Sequence, residues 1–319
     1  MPFLLPAQFV STPGATEETW SLQDSLRYTR WLARHHYENF HVVSFLLPRR
    51  LHQDFFNIYA FCRWADDLGD EIGDRALSLQ LLGWWREELH KMYGGETRHP
   101  VYVALRETVE RHAIPEGPFC DLIRAFVQDQ TITRYQTYAQ LLDYCAYSAN
   151  PVGRLVLWLC GYRDAGRCGL SDATCTALQL ANFWQDVVRD LEKGRIYIPI
   201  EVMLAHGYRL EDLEQRRFNK NFRDTMRDLV DRAHMLFLQG LPLAEKVDRR
   251  LAVDLELFSR GGMAILEKIR ALDYNVLAQR PALSARDRFA LLARAVWRAG
   301  FGRQAASPSR SPEATDAYR

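Results

Sequence analysis

Carboxylates recur at four-residue spacing in two distant places along this 319-residue chain. The first is Asp66-Asp67-Leu68-Gly69-Asp70, and the second is Asn182-Phe183-Trp184-Gln185-Asp186-Val187-Val188-Arg189-Asp190. Helix residues four apart lie on nearly one face, about 6 Å apart along the axis with a drift of roughly 40°. Asp66 and Asp70 therefore share a face, as do Asn182, Asp186 and Asp190. Like charges at that spacing destabilise an isolated helix by about 0.2–0.5 kcal/mol. Both clusters also sit in apolar, aromatic sequence, where an unpaired carboxylate is costly. Hard divalent cations relieve both penalties, and Mg²⁺ is usually held by one or two carboxylates plus substrate phosphates. Two acidic helices facing one another across Mg²⁺ would make a diphosphate site.

The elements that must position these groups read as helices. Ser21-Leu22-Gln23-Asp24 has the form of a capping start, and Leu22, Leu26, Tyr28 and Leu32 follow near helical period. Pro48 suits a first helical turn, from which Leu51, Phe55, Ile58, Tyr59 and Cys62 lead into the first acidic cluster. Further helices are predicted over 75–93, 100–112, 116–133, 137–161, 171–192, 221–240, 249–273 and 284–299. Gly194 is a helix stop after the second cluster, and 195–198 is extended until Pro199 restarts a helix. No stretch alternates cleanly with period two, which argues against a sheet. The segments 152–160 and 119–127 are apolar on more than one face, as expected of helices in the core or lining an apolar cavity. The expected architecture is all-α. It has an N-terminal extension over 1–16, one helical domain over 17–301 and a disordered tail over 302–319.

Composition narrows the function classes. The net charge of +1, with 25% charged and 48% hydrophobic residues, gives no global electrostatic case for nucleic acid. Six cysteines, at 62, 120, 145, 160, 168 and 175, show neither Cys-x-x-Cys spacing nor a zinc-like grouping with histidine, and read as reduced thiols. The N-terminus lacks a signal-peptide pattern, and no apolar run approaches about 18 residues. The expected location is cytoplasmic, with any membrane contact peripheral.

The segment Tyr59-Ala60-Phe61-Cys62-Arg63-Trp64-Ala65-Asp66-Asp67-Leu68-Gly69-Asp70-Glu71 resembles the first aspartate motif of squalene and phytoene synthases. Residues 179–190 resemble the second, Lys193-Gly194-Arg195-Ile196-Tyr197-Ile198-Pro199 the basic loop that follows it, and Ala149-Asn150-Pro151-Val152-Gly153 an intervening stretch. The resemblance implies the class I isoprenoid synthase fold around a central apolar cavity, Mg²⁺ dependence and a prenyl diphosphate substrate. Its metal-facing positions are Asp66, Asp70, Asn182, Asp186 and Asp190. Tyr59 and Arg63 join the acidic face as catalytic candidates, and Arg63 can fork onto diphosphate oxygens. His36, Asn39, Lys193 and Arg195 are implied diphosphate contacts. Phe40, Tyr144, Tyr147, Asn150, Val152, Gly153 and Gln185 are implied pocket positions.

Departures from the family pattern suggest a subgroup. A lysine usual two residues after the His36 position is Glu38, an arginine usual before the first aspartate of the second motif is Gln185, and a tyrosine of the C-terminal helix is replaced near Gly262. The aromatic or histidine usual two residues after Tyr144 is Ala146. Charge-assisted hydrogen bonds contribute roughly 1.5–3 kcal/mol each, so a site without two of these cations should hold a second diphosphate poorly. The pattern resembles bacterial hydroxysqualene synthases, which act on presqualene diphosphate between upstream and downstream enzymes of squalene and hopanoid biosynthesis. The alternatives are an enzyme coupling two prenyl diphosphates, and a non-catalytic helical scaffold. For water capture, Tyr147, Asn150 and Gln185 are the polar candidates.

Overall fold

The computed structural model describes residues 3–14, 18–35 and 48–291. No strand occurs among them; the one β-bridge, isolated and parallel, joins Arg134 to Ile196. The described residues form two compact units, those up to Thr131 with Leu155–Tyr162, and Ile132–Arg154 with those from Arg163 onward.

The first unit contains α1 (Pro6–Ser11), α2 (Leu22–His35), α3 (His52–Asp70), α4 (Arg75–Tyr93), α5 (Pro100–His112) and α6 (Gly117–Asp129). The Ser21 hydroxyl accepts the Asp24 backbone N–H at 3.1 Å, so α2 begins as its sequence predicts. After Pro48, a 3₁₀ turn over Arg49–Leu51 precedes α3, which carries the first acidic motif on its last turns. Helix α3 is fixed by its inner face. Trp64 stacks on Trp85 of α4 with ring centroids 5.1 Å apart, and the buried His99 ring meets Trp64 edge-on at 4.3 Å. Burial holds the His99 imidazole well below its usual pKa, so it is a neutral core ring. Asn57 accepts from Thr29 of α2 at 2.6 Å and donates to the Ala104 carbonyl and Thr108 hydroxyl of α5, both at 3.0 Å. These buried side chains thus set the position of α3 through hydrogen bonds as well as packing. Residues 6–11 of the expected N-terminal extension belong to this assembly, with Phe9 buried 5.2 Å from Trp64.

The second unit contains α7 (Tyr138–Ser148), the start of α8 (Asn150–Leu159), α9 (Ala165–Gln185), α10 (Val187–Glu192), α11 (Ile200–Ala205), α12 (Leu210–Glu214), α13 (Lys220–Gly240) and α14 (Arg249–Ala271). Three predicted helices are shorter or broken. The 116–133 helix stops at Asp129, and the following Gln130 side chain donates to the Gly69 carbonyl at 2.9 Å, closing the end of α3. The 137–161 helix breaks at Ala149, because Pro151 has no N–H to extend the ladder and suits only a new first turn. The 171–192 helix begins earlier, at Ala165, and breaks at Asp186, before two β-branched valines. Gly194 does stop α10, with φ +73°, and Pro199 precedes α11. Of the 284–299 helix, residues 285–291 are described and helical. The predicted tail over 302–319 lies outside the described residues.

Helix α9 is the centre of this unit. Gly153 lets α8 approach it closely, since a Cβ there would lie 2.3 Å from the Ser171 hydroxyl and 2.5 Å from the Cys175 sulfur. None of the six cysteines is in a disulfide, and no described helix is long and apolar enough to cross a membrane.

Candidate functional site

On α3, Tyr59, Arg63, Asp66 and Asp70 fall on one stripe, half-buried to exposed, while Ala60, Phe61, Trp64, Ala65 and Leu68 face the core. Arg63 Nη1 lies 3.2 Å from Asp66 Oδ2, and its Nη2 also contacts Asp67. Asp67 is not on the stripe: its side chain is 5% exposed, and it turns inward. Burial pushes the Asp67 carboxyl up to about 6, opposed by the Arg63 charge and reinforced by Asp66 and Glu71. Burial likewise raises the Tyr59 hydroxyl, opposed by Arg63, which leaves it a neutral donor near neutral pH. Arg63 therefore serves two acids at once, one facing outward and one packed within.

The second motif keeps its register through the break at Asp186. The Asp186 N–H bonds to the Asn182 carbonyl and the Asp190 N–H to the Asp186 carbonyl, both at 2.9 Å. Asn182 is exposed, whereas Asp186 and Asp190 are half-buried. Asp190 lines a small recess with Phe183, Val187, Leu191, Arg195 and Tyr197, and its Oδ2 is buried without a hydrogen-bond partner. Burial pushes the Asp190 carboxyl up to about 6, helped by Asp186 and opposed by Arg195 and Lys193. The basic loop thus does turn back on the motif, and the Arg195 N–H bonds to the Asp190 carbonyl at 2.8 Å. Asp186 is gripped by Arg280, with Nε 2.5 Å from Oδ1 and Nη2 2.9 Å from Oδ2.

These donors fit a hard divalent cation. Asn182, Asp186 and Asp190 offer only oxygen ligands among their acceptor atoms, at helical spacing, and one buried carboxylate oxygen lacks a partner. The same chemistry holds on α3 for Asp66 and Asp70.

The pocket candidates separate into different roles. Tyr144 is buried in an aromatic group with Tyr135, Phe183 and Tyr197, and Phe183 stacks on Tyr197 with centroids 3.7 Å apart. Asn150 is buried, with its Oδ1 accepting from the Thr176 hydroxyl at 2.9 Å, so it ties α8 to α9. Gly153 serves the same helix contact, with Val152 half-buried beside it. Gln185 is 8% exposed, and its Nε2 donates to the Pro281 carbonyl at 2.6 Å. Tyr147 is half-buried on the last turn of α7. His36, Glu38, Asn39 and Phe40 lie outside the described residues.

Three further groups belong to the site. Asp67 could have been found from its i,i+4 spacing to Arg63, and Tyr197 from its place in the basic loop. Arg280 carries no local signal, being 94 residues from the acid it binds.

The squalene/phytoene synthase family model matches residues 33–287. A hydroxysqualene synthase of Sinorhizobium fredii is 32% identical over 247 residues, covering 76% of this chain and 82% of the relative. A phytoene synthase of Thermus thermophilus is 32% identical over 272 residues, covering 84% and 91%. The crystal structure of squalene synthase HpnC from Alicyclobacillus acidocaldarius superposes with a TM-score of 0.76 at 46% identity, covering 80% of this chain and 96% of that one. The all-α architecture is that of the isoprenoid synthases. With both aspartate motifs in register on their helices and the match spanning most of its length, the chain belongs to the squalene/phytoene synthase family.

Proposed function

We propose that this protein is a hydroxysqualene synthase, converting presqualene diphosphate and water into hydroxysqualene and diphosphate. The observation that carries this reading is the state of Gln185. Next to a metal-facing aspartate, it is neutral, buried and committed to the Pro281 carbonyl. A cation there would add a charge-assisted contact for a second diphosphate; a glutamine amide bonded to backbone adds none. Relatives named hydroxysqualene synthase, such as that of Sinorhizobium fredii, agree with it.

Family members use a divalent metal for diphosphate ionisation, and Mg²⁺ would supply Lewis-acid stabilisation of the leaving diphosphate. In this reading Asp66 and Asp70 on α3, and Asn182, Asp186 and Asp190 on the second motif, would hold metal, and Arg63, Lys193 and Arg195 would neutralise diphosphate oxygens. His36 and Asn39 are assigned the same task. The C–O bond to diphosphate breaks with its electron pair leaving on oxygen, the resulting carbocation rearranges, and water oxygen supplies the new C–O bond while its proton departs. Aromatic faces at Phe40, Tyr144 and Phe183 stabilise the cation electrostatically. Gln185 is a weaker candidate for holding the water, because one of its two amide N–H donors is already used and the side chain is held by it. Tyr147 and Asn150 remain the polar alternatives. The enzyme would act on a lipid precursor made by an upstream prenyl-coupling reaction, with no nucleic-acid partner and at most peripheral contact with a membrane.

A second reading, coupling of two prenyl diphosphates, is favoured by the phytoene synthase of Thermus thermophilus, equally identical over more of the chain. The two are separated by incubating purified protein and Mg²⁺ with presqualene diphosphate or farnesyl diphosphate, with and without NADPH, and analysing extracts by gas chromatography–mass spectrometry. Hydroxysqualene from presqualene diphosphate, with farnesyl diphosphate untouched, is the expected result. Consumption of farnesyl diphosphate would overturn it.

A further inference from the structure

After α14 the chain runs without helix from 272 to 284, the stretch 275–284 forming a strap before helix resumes at 285. This strap is fastened at both ends. At its start, Asp273 pairs with Arg223 of α13, and the Arg227 guanidinium lies 5.4 Å over the Tyr274 ring. Asp273 and Tyr274 both have left-handed backbones, φ +52° and +62°, an uncommon conformation for side-chain-bearing residues. At its far end, the Ser284 N–H and hydroxyl donate to Asp287 Oδ2 at 2.9 and 2.8 Å, and Lys268 of α14 reaches the same carboxylate at 3.0 Å. Its middle is fastened to the second acidic motif twice. Buried Pro281 accepts from Gln185, and Arg280 forks onto both oxygens of Asp186.

The two middle contacts differ in kind. The Gln185 contact is neutral and buried. The Arg280 contact occupies the carboxylate that a cation would take, and the Arg280 side chain is 37% exposed, with solvent to move into. An inner-sphere Mg²⁺ sits about 2.0–2.1 Å from its oxygen ligand, which would bring two like-signed cations together on one carboxylate. Their repulsion at a separation of about 4 Å is substantial in a half-buried setting.

We propose that the 275–284 strap is a metal-released latch, in which Arg280 holds Asp186 until a divalent cation displaces it, while Gln185 and Pro281 act as the pivot. Gln185 and Arg280 are positioning residues in this device, which rests on the reading of Asp186 as a metal ligand. The strap thereby makes the exposed part of the motif wall responsive to metal loading before any substrate arrives.

The test uses the full chain without substrate, with Mn²⁺ alone as the probe, read by electron paramagnetic resonance and by backbone amide exchange over 275–283. Arg280→Gln should bind Mn²⁺ about ten-fold more tightly than the native protein, and its strap should exchange fast with or without metal. In the native protein, strap exchange should rise only on adding Mn²⁺. Arg280→Lys, which keeps the charge but cannot fork, should fall between the two. Arg189→Gln is the control for charge alone, because Arg189 lies 3.6 Å from Asp186 on the motif's own helix, at i,i+3. Its strap exchange should stay native-like; an affinity gain equal to that of Arg280→Gln would overturn the latch. So would Mn²⁺ binding that Asp186→Asn abolishes but Arg280→Gln leaves unchanged, with the metal reading intact. Mn²⁺ binding indifferent to Asp186→Asn would overturn the metal reading itself.

Discussion

Gly262 of α14 lies so close to Phe237 of α13 that a Cβ at residue 262 would meet the ring Cζ at 2.2 Å. Leu178 of α9 closes the same space at 3.0 Å, and Phe237 is fully buried, so its ring has nowhere to go. The position near which the family resemblance leads one to expect a tyrosine is here a three-helix contact. Gly262→Ala should destabilise the protein by about 1–3 kcal/mol, because overpacking outweighs the gain of about 1 kcal/mol in helix propensity. The double variant Gly262→Ala/Phe237→Leu should recover most of the loss. Urea unfolding of the three proteins checks this; equal midpoints for native protein and Gly262→Ala would refute the contact.

Asp254 of α14 is 1% exposed, and neither carboxylate oxygen has a hydrogen-bond partner. Burial, with the nearby Asp248 charge, pushes its carboxyl up to about 8. The folded protein therefore binds a proton at Asp254 that the unfolded chain releases near pH 4. The resulting stability is fully present below about pH 4 and is lost as pH rises through about 8. The whole span corresponds to a difference of the order of 5 kcal/mol. Asp254→Asn, which resembles the protonated acid, should flatten this dependence and stabilise the protein increasingly between pH 6 and 9. Denaturant midpoints at several pH values measure it, and parallel curves for the two proteins would exclude the assignment.

Arg63 is the counter-charge of buried Asp67 as well as of Asp66. Removing one partner of a buried pair costs about 3–5 kcal/mol, and removing both costs far less. Arg63→Ala should therefore lower stability strongly, and Arg63→Ala/Asp67→Asn should restore it. Turnover should remain lost in both, since neither has a cation beside Asp66. A double variant with native activity would show that Arg63 serves the fold alone.

Asp190 stands in its recess with one buried oxygen unpartnered. Asp190→Asn should leave the fold intact, and gain stability slightly above pH 6, because the native carboxyl is disfavoured there. Turnover should drop by about 10²–10³-fold, the scale of losing one electrostatic stabiliser. Chelation with EDTA should abolish native turnover, and Mg²⁺ should restore it. Chelator-resistant turnover would remove metal from the proposed chemistry.

Periodicity and spacing were enough to place α4 and α5 at their observed limits, and to put Tyr59, Arg63, Asp66 and Asp70 on one stripe, because helix geometry is local. The Asn182–Asp186–Asp190 register was legible for the same reason and survives the break at Asp186. Gly194, Pro199 and the cap at Ser21 were readable because turn and cap chemistry depends on a few adjacent residues. What tertiary structure decided lies at long sequence separation. Asn150 and Gly153 look like pocket residues in sequence, yet hold α8 against α9 through Thr176, Ser171 and Cys175. Gln185 looks available for water, yet its amide is bonded to a carbonyl 96 residues away. Asp186 looks open to metal, yet shares its oxygens with Arg280. Sequence determined which groups share a helix face; only packing between helices decided which of those groups still had a hydrogen bond to give.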